Sequence, residues 1–132
     1  MTDALASYLR EATGRRFGFG DWDCAIFCAD WVRRRNGVDP AAAWRGHYHT
    51  LTGAVRLLKR HGGLVALFDS CLDRVGAVRY GAARRGDIAI VESGGALVSG
   101  IVTGPCIACL GAERGIVIRH RDLAPFVAVW SL

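Results

Sequence analysis

No apolar run in the sequence approaches the ~20 residues that a membrane helix needs, so no spanning segment is expected. The first residues lack a basic start followed by an apolar stretch, and no signal peptide is read there. No GxxxxGK(S/T) run is present, which removes a phosphate loop; Gly94-Gly95 suits a hairpin turn instead. There is one CxxC, Cys106-Ile107-Ala108-Cys109, and no second pair at zinc-ribbon spacing. Internal repeats, linkers and low-complexity segments are also missing. What remains is 132 residues, 52% hydrophobic and 22% charged, which excludes disorder and predicts one domain over residues 1–132 with a core of its own.

Five cysteines is an odd number for a chain without an export signal. A reducing compartment with free thiols fits better than a disulfide framework, so a cytoplasmic origin is expected. The net charge of +5 comes from arginine far more than lysine. Arg33-Arg34-Arg35 and Arg84-Arg85 could meet phosphate or an acidic polymer, but read first as a solvated helix end and a loop.

Along the chain, Thr2 or Asp3 can cap a helix over about residues 3–13, with Leu5, Tyr8, Leu9 and Ala12 inward. Gly14 ends it, and Phe17-Gly18-Phe19-Gly20 is a loop with aromatic anchors. A second helix starts near Asp23, with Cys24, Phe27, Cys28, Trp31 and Val32 on one face and Gly37 as its stop. Asp39-Pro40 opens a short helical turn through Trp44. Thr50 caps a third helix to about Arg60, with Leu51, Ala54, Val55 and Leu58 inward, and a fourth runs from about Leu64 to Arg74 with Cys71 in its core face. After Gly76, segments become short and rich in valine and isoleucine. They predict strands near Val78-Tyr80, Asp87-Val91, Leu97-Thr103, Ile107-Leu110, Gly115-Arg119 and Val127-Ser131. Helices first and strands second is an α+β plan, with N-terminal helices packed on a C-terminal antiparallel sheet. The four tryptophans should anchor the core or an interface.

Cys24 carries the chemistry. Gly20-Asp21-Trp22-Asp23-Cys24 delivers a thiol to a helix start, where partial positive charge and unpaired N–H groups favour thiolate. The dipole contributes only ~0.3–1 kcal/mol at exposed sites, under one pKa unit, and Asp21 and Asp23 oppose ionisation. Cys24 therefore reads either as a nucleophile or as a small core-facing residue. Cys106 and Cys109 diverge if they lie on a strand; on a turn they could converge on zinc or a redox pair, with Cys24 and Cys28 completing four thiolates. No cofactor or metal is expected from this ligand set.

Asp23-Cys24 at a helix start, Arg85-Gly86-Asp87-Ile88-Ala89 opening a strand, and Gly100-Ile101 with Gly104 on the next resemble the NlpC-type cell-wall hydrolases of the papain-like fold. More closely, the chain is similar to a small phage- and prophage-encoded family within that clan. Ala29-Asp30-Trp31-Val32, Gly37, Asp39-Pro40, Arg45-Gly46, Tyr48 and the closing Ala128-Val129-Trp130 extend the likeness over most of the chain. The resemblance implies a papain-like domain with Cys24 as nucleophile, a histidine on the strand after the Gly-Asp strand as base, and a polar orienter on the following strand. Where that histidine would stand, the chain has Val98-Ser99-Gly100-Ile101, and the orienter would fall near Ala108.

Both carried-over positions are apolar. His47 and His49, in the connector before the third helix, are the remaining candidates for a base; His61 reads as a helix C-terminal cation and His120 as a turn residue. The leading expectation is thus a tail-associated phage or prophage protein with a cysteine-hydrolase scaffold that is degenerate at the catalytic histidine. Its partners would be other tail or particle proteins and peptidoglycan, and it would be made in the cytoplasm and carried on the virion. The alternatives are an active cysteine peptidase or amidase cleaving peptidoglycan peptides through Cys24, and a basic nucleic-acid-binding module. The module ranks last because the aromatics follow core periodicity. No membrane partner is expected.

Overall fold

The structure is a computed structural model that describes residues 3–79, 81–113 and 115–132. Thr2, one of the two expected caps of the first helix, and Tyr80, the expected end of the first strand, lie outside the described residues. Among these residues the chain forms four α-helices and a six-stranded antiparallel sheet, an α+β arrangement.

Helix α1 (Ala4–Ala12) begins at Asp3, whose carboxylate accepts from the backbone N–H groups of Leu5 and Ala6 and so satisfies two orphan donors of the first turn. Helix α2 (Cys24–Asn36) starts at Asp23 and stops at Gly37, which takes the left-handed conformation with φ 79°. Its buried stripe of Phe27, Cys28, Trp31 and Val32 follows the expected spacing. The helical turn expected from Asp39 to Trp44 is a series of tight turns instead. The Asp39 carboxylate accepts from Ala41 N–H and grips Arg45, and Gly46 N–H donates to Gly20, so the segment is drawn to the preceding loop before a helical ladder can extend.

Helix α3 (Leu51–His61) is capped by the Thr50 hydroxyl, which accepts from Gly53 N–H. Its inward face differs from the expected one. Leu57 is buried and Ala54 and Leu58 pack beside it, whereas Leu51 and Val55 are exposed. Gly53 lies against Tyr48, and this close approach turns the helix so that its smallest residues meet the connector. Helix α4 (Leu64–Asp73) buries Leu67, Phe68, Cys71 and Leu72. No helix among the described residues is long and apolar enough to cross a membrane.

The strands are β1 (Val78–Arg79), β2 (Ile88–Ser93), β3 (Ala96–Val102), β4 (Cys106–Gly111), β5 (Gly115–His120) and β6 (Phe126–Ser131), in the sheet order β1-β6-β2-β3-β4-β5. A hairpin through Gly94 and Gly95, both at positive φ, joins β2 to β3. Strand alternation divides the core in two. Ile88, Ile90, Ile101 and Ala108 face the helices. Ala89, Val91, Val102, Ile107 and Cys109 face the other way, under Ala83 and Ala124. All four tryptophans are buried. The Trp31 Nε1 donates to Gly86 at 2.7 Å and ties α2 to the turn before β2.

Candidate functional site

Residues 17–23 form a closed loop. Gly18 and Trp22 exchange backbone hydrogen bonds of 2.8 and 3.0 Å, and Gly20 sits at φ 81° with its Cα facing the Tyr48 carbonyl, leaving no room for a side chain. The loop ends on Asp23, whose buried carboxylate accepts from Ile26 N–H and Gly20 N–H, both at 2.9 Å, and from the Tyr48 hydroxyl. One carboxylate therefore starts α2, shapes the loop and holds the connector, and it leaves Cys24 as the first residue of the helix.

Cys24 lies over β3. Fully buried Ser99 donates its hydroxyl to the Cys24 carbonyl at 3.1 Å, latching the first turn of α2 to the strand. The thiol pKa is raised, first by burial and then by the Asp23 charge; the Ser99 hydroxyl and the neighbouring backbone N–H groups oppose this only in part. The helix terminus is thus outweighed, and the thiol form is favoured at neutral pH.

Two cavities meet at Cys24. One, of about 280 Å³, runs along the sheet face that carries Val91, Val98, Cys109 and Val117, with Ser93 and Arg119 among its lining residues. The other, of about 120 Å³, lies among Phe19, Tyr48, Leu57, Leu64, Leu67 and Leu97. Phe17 and Cys24 line both.

Val98, at the position where the resemblance places a base, does line the cavity shared with the thiol. Ala108 does not: it faces the helix-side core, fully buried. The β4 residue in the cavity is its neighbour Cys109, whose thiol pKa is pushed up to about 11 by burial and by the adjacent Cys24. His47 and His49 are exposed on either side of buried Tyr48, as alternation along an extended segment requires, and neither lines a cavity that Cys24 touches. His61 is the last residue of α3, and His120 ends β5 with its Nδ1 accepting from Asp122 N–H.

Cys106 and Cys109 sit on strand β4, three apart and on opposite faces. Among the described residues no three His, Cys, Asp or Glu side chains come together to hold a metal ion. The two arginine runs do converge: the Arg35 guanidinium packs against Gly86, while Arg85 pairs with Asp3.

The family model described as "Domain of unknown function (DUF6950)" matches residues 1–132. The chain belongs to this family. No curated protein and no solved structure matches it. For this member, sequence reasoning gave no role at the site to Ser99, Phe17 or Tyr48, and weighed Cys109 beside Cys24 only as a metal or redox ligand. Ser99 left a signal, a hydroxyl where alternation calls for a core side chain, and Cys109 left one in the CxxC. Phe17 and Tyr48 meet Cys24 only through tertiary packing.

Proposed function

We propose that this chain is a papain-like domain of the NlpC type whose cysteine site does not hydrolyse amides, and that it serves as a tail-associated component of a phage or prophage particle. The observation that carries the first part is the surroundings of Cys24: a thiol with a raised pKa, an aliphatic Val98 lining the same cavity, and no imidazole among the described residues of either cavity wall. Thiol attack on an amide needs a thiolate and a group to take and return its proton, and base catalysis of that kind is worth ~10²–10⁴ in rate. The helix-borne cysteine and the Gly86-Asp87 turn opening β2 support the scaffold. The tail association rests on the likeness of the Asp23-Cys24, Gly86-Asp87 and Gly100-Ile101 motifs to phage-encoded relatives of that clan.

Two measurements test the reading. Purified chain incubated with peptidoglycan should release no new amino or carboxyl termini, and Cys24→Ala should behave identically. Particles assembled with the Cys24→Ala chain should retain it at wild-type stoichiometry. Cleavage by the wild type that Cys24→Ala abolishes, with the fold intact by circular dichroism, would instead establish an active cysteine amidase or peptidase. A nucleic-acid module would need exposed aromatic faces for bases to stack on, but all four tryptophans are buried, and Arg15 already lies over the Trp22 ring and Arg79 over that of Trp130.

A further inference from the structure

We infer that the two cavities meeting at Cys24 form a binding site for a single-chain amphiphile, a free long-chain carboxylate. The inference rests on the reading of this site as one without a general base. Apart from Ser93 and Arg119 in the outer cavity and the mutually bonded Asp23 and Tyr48 in the inner one, the side chains that line the two are apolar or thiol. Phe17, Val91, Val98 and Val117 line the outer cavity, and Phe19, Leu57 and Leu97 help line the inner one. A peptide backbone entering such a space would lose its bonds to water without replacement, whereas a hydrocarbon chain loses none.

The charges set the direction. Asp23 lines the inner cavity, but its oxygens are already committed to Gly20, Ile26 and Tyr48, so that end presents negative charge and repels an anion. Arg119 lines the outer cavity and is exposed, and its guanidinium makes no ion pair or hydrogen bond among the described residues. A carboxylate at Arg119 with its chain running past Cys24 toward Leu57 satisfies both ends. A methylene takes on the order of the volume of a water, ~30 Å³, so cavities of about 280 and about 120 Å³ suit a chain of roughly a dozen carbons.

The test uses dodecanoate below its micellar concentration, with dodecanol as the uncharged comparison. Calorimetry should show one saturable site on the wild-type chain, and bound dodecanoate should slow iodoacetamide labelling of Cys24 about tenfold by covering the thiol. Arg119→Gln, an exposed change that spares the core, should weaken dodecanoate about tenfold and leave dodecanol nearly unchanged. Absence of saturable binding overturns the proposal. So does binding that leaves Cys24 labelling unaltered, an Arg119→Gln variant that binds dodecanoate like the wild type, or adsorption to phosphatidylcholine vesicles without uptake of the monomeric acid. Peptidoglycan hydrolysis by the wild type would sink the non-hydrolytic reading and this inference with it, whereas failure to bind dodecanoate, with peptidoglycan left intact, would sink this one alone.

Discussion

Asp23 does more than start a helix. Its carboxylate holds Ile26 N–H, Gly20 N–H and the Tyr48 hydroxyl together, so Asp23→Ala removes a cap worth ~1 kcal/mol and strands two further donors in the interior at ~1–3 kcal/mol each. Urea melts should place that variant about 3–7 kcal/mol below wild type, and Tyr48→Phe about 1 kcal/mol below. Gly20→Ala should be at least as damaging as Asp23→Ala, because its Cβ would fall 1.8 Å from the Tyr48 carbonyl oxygen. The cap was legible in the sequence because Asp23 acts on residues three positions away. Tyr48 was not, since it reaches Asp23 across 25 positions. The connector drew attention to His47 and His49 for their chemistry, yet the aromatic between them is the residue that packs inward.

At the scale of elements, Gly100 sets how closely β3 and β4 approach. A Cβ there would lie 2.6 Å from the Ala108 carbonyl oxygen and 2.7 Å from Cys109 Sγ, so Gly100→Ala should force the strands apart. The expected cost is about 1–3 kcal/mol in a urea melt, with faster amide exchange confined to β3 and β4. Strand positions were readable because valine and isoleucine alternate between glycine punctuations, and that pattern is local. The rotation of α3 was not. Leu51, Val55 and Leu58 form as good a stripe as Ala54, Leu57 and Leu58, and only the contact of Gly53 with Tyr48 decides between them. The cleft was half legible. Val98 was pointed to by the resemblance, whereas Cys109 in place of Ala108 depended on which face of β4 turns toward Cys24.

The whole molecule keeps several thiols in its interior, and this gives it a pH dependence. Burial raises the thiol pKa at Cys24 and Cys28, and moves Cys71 to about 12 and Cys109 to about 11, from an ordinary 9.0. Above pH 9 the unfolded chain sheds protons that the folded chain retains, so stability present below that pH is lost as the solution becomes more alkaline. Cys109 alone accounts for about 3 kcal/mol once pH has risen through its folded pKa. The urea midpoint should therefore fall between about pH 7.5 and about pH 10.5, and less steeply in Cys109→Ala. The buried hydroxyls of Tyr8 and Tyr48, also shifted upward, add to the same trend at higher pH. Strand order has a consequence of a different kind. Strand β6 lies between β1 and β2, although it follows the other five strands among the described residues. During synthesis, β2 waits with one edge open until residue 131 has cleared the ribosome, so a nascent or truncated product exposes a bare strand edge to its neighbours and to chaperones.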